Sequence, residues 1–313
     1  MKDYCFGVDV GGTTVKIGFF KTTGDRIDAW EIKTRTENNG ENIIPDIVTS
    51  MEDKLAEHNL TFENVEGVGV GLPGPVLADG TVLGAVNLGW GKFNVAEEFS
   101  SKFHGVKVSV GNDANVAALG ESWKGGGKEF DDIVMITLGT GVGSGIIIGN
   151  KIITGFNGGA GEVGHMTVEN DEAEACNCGR CGCLEQYTSA TGVVRLAKRY
   201  MANHADTAMA DFGNDITAKD VFDLAKNGDE GAVKVVKKMA GYLGKAMADI
   251  ATVTNPQAFI IGGGVSKAGK FLIDAIEPVY KEKSFGACAG AAVKLAELGN
   301  DAGMYGAAAL IIG

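Results

Sequence analysis

The sequence predicts an α/β protein built from two similar lobes, and three observations support this fold class. A strand, a glycine-rich turn and two further strands occur at the N-terminus and again, in the same order, between Asp131 and Ile153. Apolar residues elsewhere recur at three- and four-residue steps, which is typical of amphipathic helices packed on a core. The 313 residues are also enough for two domains.

Composition and charge disfavour several classes of protein. Hydrophobic residues make up 45% and charged residues 22% of the chain, as in ordinary soluble globular proteins. The net charge of −12 disfavours binding to the phosphate backbone of nucleic acids. No apolar run is long enough to span a bilayer, and the N-terminus lacks the apolar core of a signal peptide. We therefore expect a cytoplasmic protein with reduced cysteines and with no nucleic-acid or membrane partner.

The N-terminal copy of the repeat comprises strands at residues 4–10, 15–20 and 26–33. Links this short cannot cross over, so the strands form an antiparallel meander. The turn Gly11-Gly12-Thr13-Thr14 joins two strands, whereas a Walker loop joins a strand to a helix. Its amides and hydroxyls, together with Lys16, could still hold a phosphate group. A plain β-hairpin turn is the alternative, and the motif alone does not decide between them.

The region between the two copies contains loops with candidate ligand contacts. Residues 41–57 have helical spacing, and residues 65–71 form a central strand that runs into Leu72-Pro73-Gly74-Pro75. The loop Asn87-Leu88-Gly89-Trp90 pairs an amide with a flat apolar ring, a combination that suits a sugar. A surface loop with a half-buried tryptophan is the alternative.

Asp113 lies where a strand at residues 106–110 turns into a helix at residues 114–123. Aspartate is a favoured N-cap, so an ordinary helix cap is one interpretation, and the position alone favours it. The functional interpretation is a general base held at the mouth of a cleft.

The second copy of the repeat has a strand at residues 131–138, the turn Gly139–Gly145 and short strands at residues 146–148 and 152–153. Two copies of one pattern indicate two related lobes. A nucleotide could lie between these lobes, with one glycine turn on each side of its phosphates. The duplication is more informative than either turn alone.

The C-terminal region is mainly helical. Helices are predicted at residues 188–200, 216–227, from Ala232 to the stop at Asn255-Pro256, and at residues 302–312. Residues 258–261 form a short buried strand that ends in Gly262-Gly263-Gly264. Three glycines at a strand end would let the backbone lie flat against a ring, and adenine is our candidate.

One histidine and four cysteines lie close together after the second turn. His165 and the pattern Cys176-x-Cys178-x4-Cys183 offer the ligands that a tetrahedral structural zinc prefers, which leaves Cys181 over. A set of all four cysteines, a disulfide knot and an iron–sulfur cluster are the alternatives. A metal here would fix the direction of Glu162 and Glu185, which we expect to bind a polar substrate.

These motifs resemble those of the ROK family of sugar kinases, within the actin-like ATPase superfamily, and most closely those of its bacterial glucokinases. The likeness covers essentially the whole chain. Its most specific parts are Gly161–Met166 and the cysteine pattern that runs into Leu184-Glu185. The other matching segments are Asp9–Lys16, Leu72–Pro75, Asn87–Trp90, Asn112–Asn115 and Gly139–Gly145. Cys181 stands where the family usually has another residue, so the choice of thiol ligands stays open.

The resemblance implies a fold of two actin-like, or ribonuclease H-like, lobes with mixed sheets and a cleft between them. Residues 1–112 would form a small N-terminal lobe, joined by the C-terminal helix at residues 302–313. Residues 113–301 would form a larger lobe that carries the zinc loop, residues 161–185. The family likeness also implies a homodimer or a homotetramer.

The resemblance also assigns roles to the matching residues. Asp113 would be the catalytic base. The sugar contacts would be Gly74, Asn87, Asn112, Glu162, His165 and Glu185. The ATP contacts would be Asp9, Gly11, Gly12, Thr13, Thr14, Lys16, Gly139, Thr140, Gly141, Gly143, Gly263 and Gly264. The zinc ligands would be His165, Cys176, Cys178 and Cys183.

The implied reaction is ATP-dependent phosphorylation of the 6-hydroxyl of glucose, with ATP, Mg²⁺ and structural Zn²⁺ as cofactors. Related kinases act on N-acetylmannosamine, N-acetylglucosamine, fructose or allose, and these sugars are the alternatives. A sugar-sensing regulator without kinase activity is the alternative from another class. Such regulators carry an N-terminal helix-turn-helix, and we expect none here because the first strand starts at residue 4.

Overall fold

The computed structural model describes residues 2–313, and this range contains twelve strands and ten helices. The strands are β1 Tyr4–Val10, β2 Thr14–Lys21, β3 Arg26–Lys33, β4 Val65–Leu72, β5 Thr81–Val82, β6 Phe93–Asn94, β7 Val108–Asn112, β8 Ile133–Leu138, β9 Val142–Ile148, β10 Lys151–Ile152, β11 Ala258–Gly262 and β12 Ala292–Leu295. The helices are α1 Glu37–Gly40, α2 Ile43–Glu57, α3 Val95–Lys102, α4 Asp113–Lys124, α5 Glu185–Thr188, α6 Ala190–Met201, α7 Ala218–Lys226, α8 Glu230–Thr254, α9 Lys270–Lys283 and α10 Ala302–Ile312.

The chain divides into two compact units. The first unit contains the residues up to Glu129 together with Gly145–Gly161 and Leu298–Gly313, and the second contains Phe130–Ser144 and Glu162–Glu297. This division differs from the boundary that we drew between residues 112 and 113. The physical reason is that α4 packs extensively on α10, so the helix that begins at Asp113 stays with the first unit.

The first unit is organised around a five-stranded mixed sheet in the order β3-β2-β1-β4-β7. β2 pairs antiparallel with both β1 and β3, so the predicted N-terminal meander is confirmed. β4 lies parallel to both β1 and β7. The carboxyl ends of these three strands therefore meet at one edge of the sheet, where Asp9 pairs with Gly71 and Leu72 pairs with Asn112.

Helix α10 lies against this sheet and against α4, and glycines permit the close approach. A Cβ atom on Gly69 of β4 would come within 1.7 Å of the Ala307 carbonyl oxygen. A Cβ atom on Gly306 would lie 1.7 Å from the Val116 carbonyl oxygen. Both distances are far inside van der Waals contact, so these two positions require glycine. The small residues that the sequence places in this last helix serve close packing, as expected.

The core of the first unit contains the apolar residues of the sheet, of α2 and of α3. Phe6, Phe19 and Phe99 are fully buried in it. Ile47 and Met51 of α2, which lie on the face that helical spacing predicts, pack into the same core. Helix α3 and strands β5 and β6 were not predicted, because their short segments carry little periodic signal.

The second unit combines the parallel strands β8, β11 and β12 with helices α6 to α9. Helix α8 packs on α9, α7 and α6. The side chain of Asp229 caps its start at Glu230, two residues before the predicted Ala232. Asn255 in a left-handed conformation ends it before Pro256, as the sequence predicts. At 25 residues it is a long helix. No helix within residues 2–313 is long and apolar enough to cross a membrane.

The strand–turn–strand pattern recurs at β8, β9 and β10. β9 lies between β8 and β10 in the sheet order, and Ile147 pairs antiparallel with Ile152. β9 starts at Val142, earlier than predicted, so the turn shortens to Gly139–Gly141 and Gly143 belongs to the strand. The helix predicted at residues 188–200 is broken at Ser189, whose side chain caps α6.

Candidate active site

Asn112, and not Asp113, caps helix α4. Its Oδ1 accepts hydrogen bonds from the backbone amides of Ala114 and Asn115, at 3.0 and 3.2 Å. Asp113 is the first helical residue, so the interpretation of Asp113 as an ordinary N-cap is wrong. Nδ2 of Asn112 donates to Oδ1 of Asp113 at 3.0 Å and to the Gly74 carbonyl at 3.1 Å. Asn112 therefore orients the Asp113 carboxyl group and ties it to the loop after β4.

The Asp113 carboxyl group lies close enough to Asp9 for its charge to raise the pKa of Asp9. The Asp113 side chain reaches solvent, and its Oδ1 also accepts from the Ala114 amide at 2.8 Å. Partial removal of water raises the pKa of Asp113, although its hydrogen bonds oppose the rise. Desolvation raises the pKa of the half-buried Asp9 to about 6, and the charge of Asp113 adds to this rise while Lys16 opposes it. Two carboxylates in one electrostatic field favour a bound cation between or beside them.

The first glycine turn is solvent-exposed at Gly12, Thr13 and Thr14. The Gly11 amide donates to the Thr14 carbonyl at 3.0 Å and closes the hairpin. A Cβ atom on Gly12 would lie 3.5 Å from the Asn87 side chain, so the turn and the Asn87 loop are neighbours.

Lys16 points to carboxylates of its own unit. Its Nζ lies 3.3 Å from Glu31 Oε1 and 3.6 Å from Asp301 Oδ1. These ion pairs partly neutralise the charge of Lys16, the one cationic side chain that the sequence associates with the first glycine turn. The Asp301 contact was not foreseen, because the two residues are far apart in the sequence.

Of the predicted sugar-binding pair Asn87 and Trp90, only Asn87 is accessible to a ligand. Asn87 is exposed and available to a ligand. Trp90 is only 8% exposed, and its Nε1 donates to the Gly40 carbonyl at 3.2 Å. The Trp90 ring also packs edge-on against Phe93. Trp90 therefore belongs to the core, and its interpretation as a flat face for a sugar is wrong.

Glu185 connects the second glycine turn with the cysteine loop. Its Oε2 accepts from the Val142 amide at 3.4 Å and would lie 2.7 Å from a Cβ atom on Gly141. Its Oε1 lies 2.9 Å from Cys176 Sγ and 3.8 Å from His165 Nδ1. A side chain at position 141 would displace the Glu185 carboxylate, so glycine here leaves room for it beside the turn.

The four side chains that the sequence selects as metal ligands come together. Ligand atoms of His165, Cys176, Cys178 and Cys183 all lie within 4.8 Å of one another. The sulfur atoms of Cys178 and Cys183 are 3.6 Å apart, and Cys176 Sγ lies 3.8 Å from His165 Nδ1. A tetrahedral zinc with Zn–S bonds of about 2.3 Å has ligand-to-ligand edges of about 3.8 Å. The donor set and its spacing therefore fit a zinc ion.

Two of the other interpretations of the cysteines, the set of four thiols and the disulfide knot, do not match this geometry. Cys181 is exposed and lies outside the cluster, so the set of four thiols is not formed. All six cysteines, which lie in the described part of the chain, are free, so there is no disulfide knot. A hydrogen bond from the Arg180 backbone lowers the pKa of Cys178 to about 6, whereas burial raises that of Cys176 to about 12.

A carboxylate–arginine network anchors the cysteine loop to helix α6. Glu172, with a side chain only 3% exposed, lies 2.8 Å from Arg195 Nη2 and 2.9 Å from Arg199 Nη1. Glu174 pairs with the same two arginines at 2.8 and 3.1 Å. The Tyr187 hydroxyl also donates to Glu172. The two arginines lie four residues apart on one face of α6, but nothing in the sequence indicates which carboxylates pair with them.

A cavity of about 330 Å³ opens beside the glycines after β11. Gly264 lines it together with Val265 and Lys267, and Thr217 and Phe222 form another part of its wall. Gly263 does not line it, because this residue packs against the end of β8, where a Cβ atom would lie 2.6 Å from Leu138 backbone atoms.

The predicted site residues form one group in each unit. The first unit contains Asp9, Gly11, Gly12, Thr13, Thr14, Lys16, Gly74, Asn87, Asn112 and Asp113. The second contains Gly139, Thr140, Gly141, Gly143, Glu162, His165, Cys176, Cys178, Cys183, Glu185, Gly263 and Gly264. Glu162 is exposed, and its carbonyl accepts from the His165 amide at 3.1 Å.

Known proteins resemble this chain over nearly its whole length. A model of the ROK family matches residues 5–313. The glucokinase of Halalkalibacterium halodurans is 42% identical over 310 residues, which cover 97% of this chain and 94% of that protein.

Solved structures agree with the predicted fold. The ROK family glucokinase from Streptomyces griseus, solved with glucose and AMPPNP, is 36% identical with a TM-score of 0.75, covering 98% of this chain and 99% of that one. The ROK hexokinase from Thermus thermophilus is 26% identical with a TM-score of 0.82, covering 98% and 97%. These matches confirm the predicted fold class of actin-like α/β lobes with mixed sheets. On the sequence and on the fold, this chain belongs to the ROK family.

Proposed function

We propose that this protein is an ATP-dependent glucokinase, which transfers the terminal phosphoryl group of ATP to the 6-hydroxyl of glucose. The observation that carries the proposal is the setting of Asp113. It is a solvent-accessible carboxyl group, oriented by Asn112, in the field of Asp9 at the end of the strand that leads into the first glycine turn. The 42% identity to a glucokinase supports the same reaction.

Asp113 acts as the general base in this proposal and takes the proton of the sugar hydroxyl. A raised pKa brings a carboxylate closer to the basicity that works best near neutral pH. The bonds from Asn112 and Ala114 hold Oδ1 and leave Oδ2 for the hydroxyl. Phosphoryl transfer depends mainly on positioning and on neutralisation of charge, so a fixed base is a sufficient contribution from this residue.

The backbone amides of each glycine turn are proposed as phosphate ligands. Mg²⁺ would be held at Asp9, and when bound it neutralises charge on the transferred group. Asp9 fits this role because desolvation and the charge of Asp113 raise its pKa, and a cation would relieve both effects. Lys16 is a weaker phosphate ligand, since Glu31 and Asp301 already pair with it.

The cavity beside Gly264 is the proposed site of the adenosine part of ATP. Its volume, about 330 Å³, and its apolar wall at Phe222 and Val265 suit a planar base. Gly264 has no atom within 4 Å of the place where a Cβ would stand, so its backbone can lie directly against the ring.

Zinc, held by His165 and the three cysteines of the cluster, would stabilise the loop that presents His165 and Glu185 to the sugar. In the structure the Cys176 thiol donates to Glu185 Oε1 at 2.9 Å. Cysteine binds zinc as a thiolate, so Cys176 would give up this proton and leave Oε1 free to accept from a sugar hydroxyl. Glu185 thereby couples the metal cluster to the sugar contacts.

The variant Glu185→Gln is expected to raise the KM for glucose by about ten- to a hundredfold, because an amide accepts hydroxyl bonds with one oxygen and without charge. The KM for ATP should change much less. Steady-state kinetics with each substrate varied in turn measure both values. Glu282→Gln, an exposed helix position, is the matched control. An equal rise of both KM values would argue against a sugar contact.

The choice of sugar is tested with a coupled assay of ATP consumption on a panel of hexoses. We expect the highest kcat/KM for glucose, and lower values for N-acetylmannosamine, N-acetylglucosamine, fructose and allose. A higher kcat/KM for one of these four would replace glucose as the substrate. A zinc-loaded protein that consumes no ATP with any sugar would favour the regulator alternative.

The remaining parts of the proposal concern assembly and compartment. The proposed assembly is a homodimer or a homotetramer, which the family likeness implies. A cytoplasmic location is also part of the proposal, because reduced cysteines are typical of that compartment.

A further inference from the structure

A separate cavity of about 240 Å³ opens between α6 and α8 in the second unit. None of its lining residues is among those assigned above to ATP, sugar or zinc. Its floor is apolar, and its rim carries basic groups. The residues that matter here are Leu196, Arg199, Tyr200, His204, Lys234 and Lys238.

The basic groups at this rim stand out in a protein with a net charge of −12. Lys234 and Lys238 lie one turn apart on α8, an arrangement in which like charges repel each other. Within residues 2–313 neither lysine forms a salt bridge with a carboxylate. A hydrogen bond from the Tyr242 hydroxyl, at 2.9 Å, lowers the pKa of Glu169, and the charge of Lys238 adds to this effect without forming a salt bridge.

Arg199 differs from the lysines, because its charge is neutralised. Its Nη1 and Nη2 lie 2.9 Å from the two carboxylate oxygens of Glu172, and Nη2 lies 3.1 Å from Glu174. Arg199 therefore forms part of the cavity wall without adding net charge. The positive charge of the cavity comes from Lys234 and Lys238.

A stacked aromatic pair forms another part of the wall. The rings of Tyr200 and His204 stack with their centroids 4.1 Å apart and 5° between their planes. His204 Nδ1 lies 3.0 Å from the Tyr200 carbonyl, which leaves Nε2 available to a ligand. Lys234 Nζ lies 3.5 Å from the Tyr200 hydroxyl and 5.8 Å from the ring centroid, so the ring holds this cation beside the cavity.

We propose that this cavity binds a small anion that carries a phosphate group. Two ammonium groups match the two charges of a phosphate, and the imidazole adds a third polar contact. The apolar floor accommodates a short carbon chain, which would distinguish a phosphate monoester from free phosphate. A carboxylate carries one charge and would leave one lysine unpaired.

The test is a titration followed by NMR, with the imidazole resonances labelled. The chain has four histidines, and His204→Phe, which preserves the stacked ring, assigns the signal of His204. Inorganic phosphate and glycerol 3-phosphate are the two probes, and chloride at equal ionic strength is the salt control. We expect a saturable shift of the His204 signal with both probes, and tighter binding of the ester because the apolar floor contacts its carbon chain.

Matched lysine variants decide the outcome. Lys238→Gln should weaken phosphate binding by about tenfold, because it removes one charge-assisted hydrogen bond. Lys237→Gln removes the same charge from the neighbouring, exposed helix position, which does not line the cavity, and should leave the affinity unchanged. Equal losses in both variants, or the same shift with chloride, would overturn the proposal. Thermal unfolding of each variant confirms that it is folded.

Discussion

The variant Asp113→Asn is expected to fold, to bind glucose and to lose about two to four powers of ten in kcat, the usual contribution of a general base. The fold should survive because Oδ1 accepts the bonds from Asn112 and Ala114, and the amide oxygen of an asparagine can accept both. The loss falls on Oδ2, which the substitution converts into an amide nitrogen that cannot take a proton. Initial rates at saturating glucose and ATP give kcat, and calorimetry gives the affinity for glucose.

Asp53→Asn is the control for this experiment. Asp53 is an exposed residue of α2, and its substitution removes one negative charge outside the proposed site. An unchanged kcat in Asp113→Asn would remove Asp113 from the mechanism. A loss of glucose binding with the same melting temperature would instead assign this residue to substrate binding alone.

The variant Cys183→Ser is expected to lose stoichiometric zinc and most of the activity together. Cys183 is fully buried, and its sulfur lies 3.6 Å from that of Cys178, so it stands inside the donor cluster. A serine hydroxyl is a harder and much less acidic donor than a thiol, which makes it a poor zinc ligand at neutral pH. Elemental analysis of the purified protein gives the metal content, and the kinetic assay gives the activity.

Cys181→Ser is the matched control, because Cys181 lies in the same loop but outside the cluster. It should retain both zinc and activity. If Cys183→Ser were free of zinc and fully active, the metal would have no role in the reaction. If Cys181→Ser also lost its zinc, the ligand set would need to be revised.

The strands and helices with strong periodic signals could be predicted from the sequence. The meander from Tyr4 to Lys33 is correct almost to the residue, because short polar turns separate strongly apolar strands. The C-terminal helix starts at Ala302 as expected. The ligand cluster was also predicted, since thiol and imidazole spacing reflects the demands of a metal more than those of the fold.

Other features depend on contacts that no local pattern contains. Asn112 and Asp113 are adjacent, and both residue types are good N-caps. The sequence therefore does not show which of the two caps the helix. The burial of Trp90 depends on Gly40, which lies fifty residues away. The pairing of Glu172 with Arg195 and Arg199 similarly joins a loop to a helix that follows it in the sequence.

The pairing of Glu172 with Arg195 and Arg199 also predicts how the cysteine loop would behave when zinc is removed. Glu172 and Glu174 hold the stretch before Cys176 to α6 through ion pairs that need no zinc. A chelator should therefore empty the cluster without detaching the loop, and the depleted protein should keep its ligands near enough to recapture the ion. Zinc would then act as a reversible switch of activity rather than as a condition for folding.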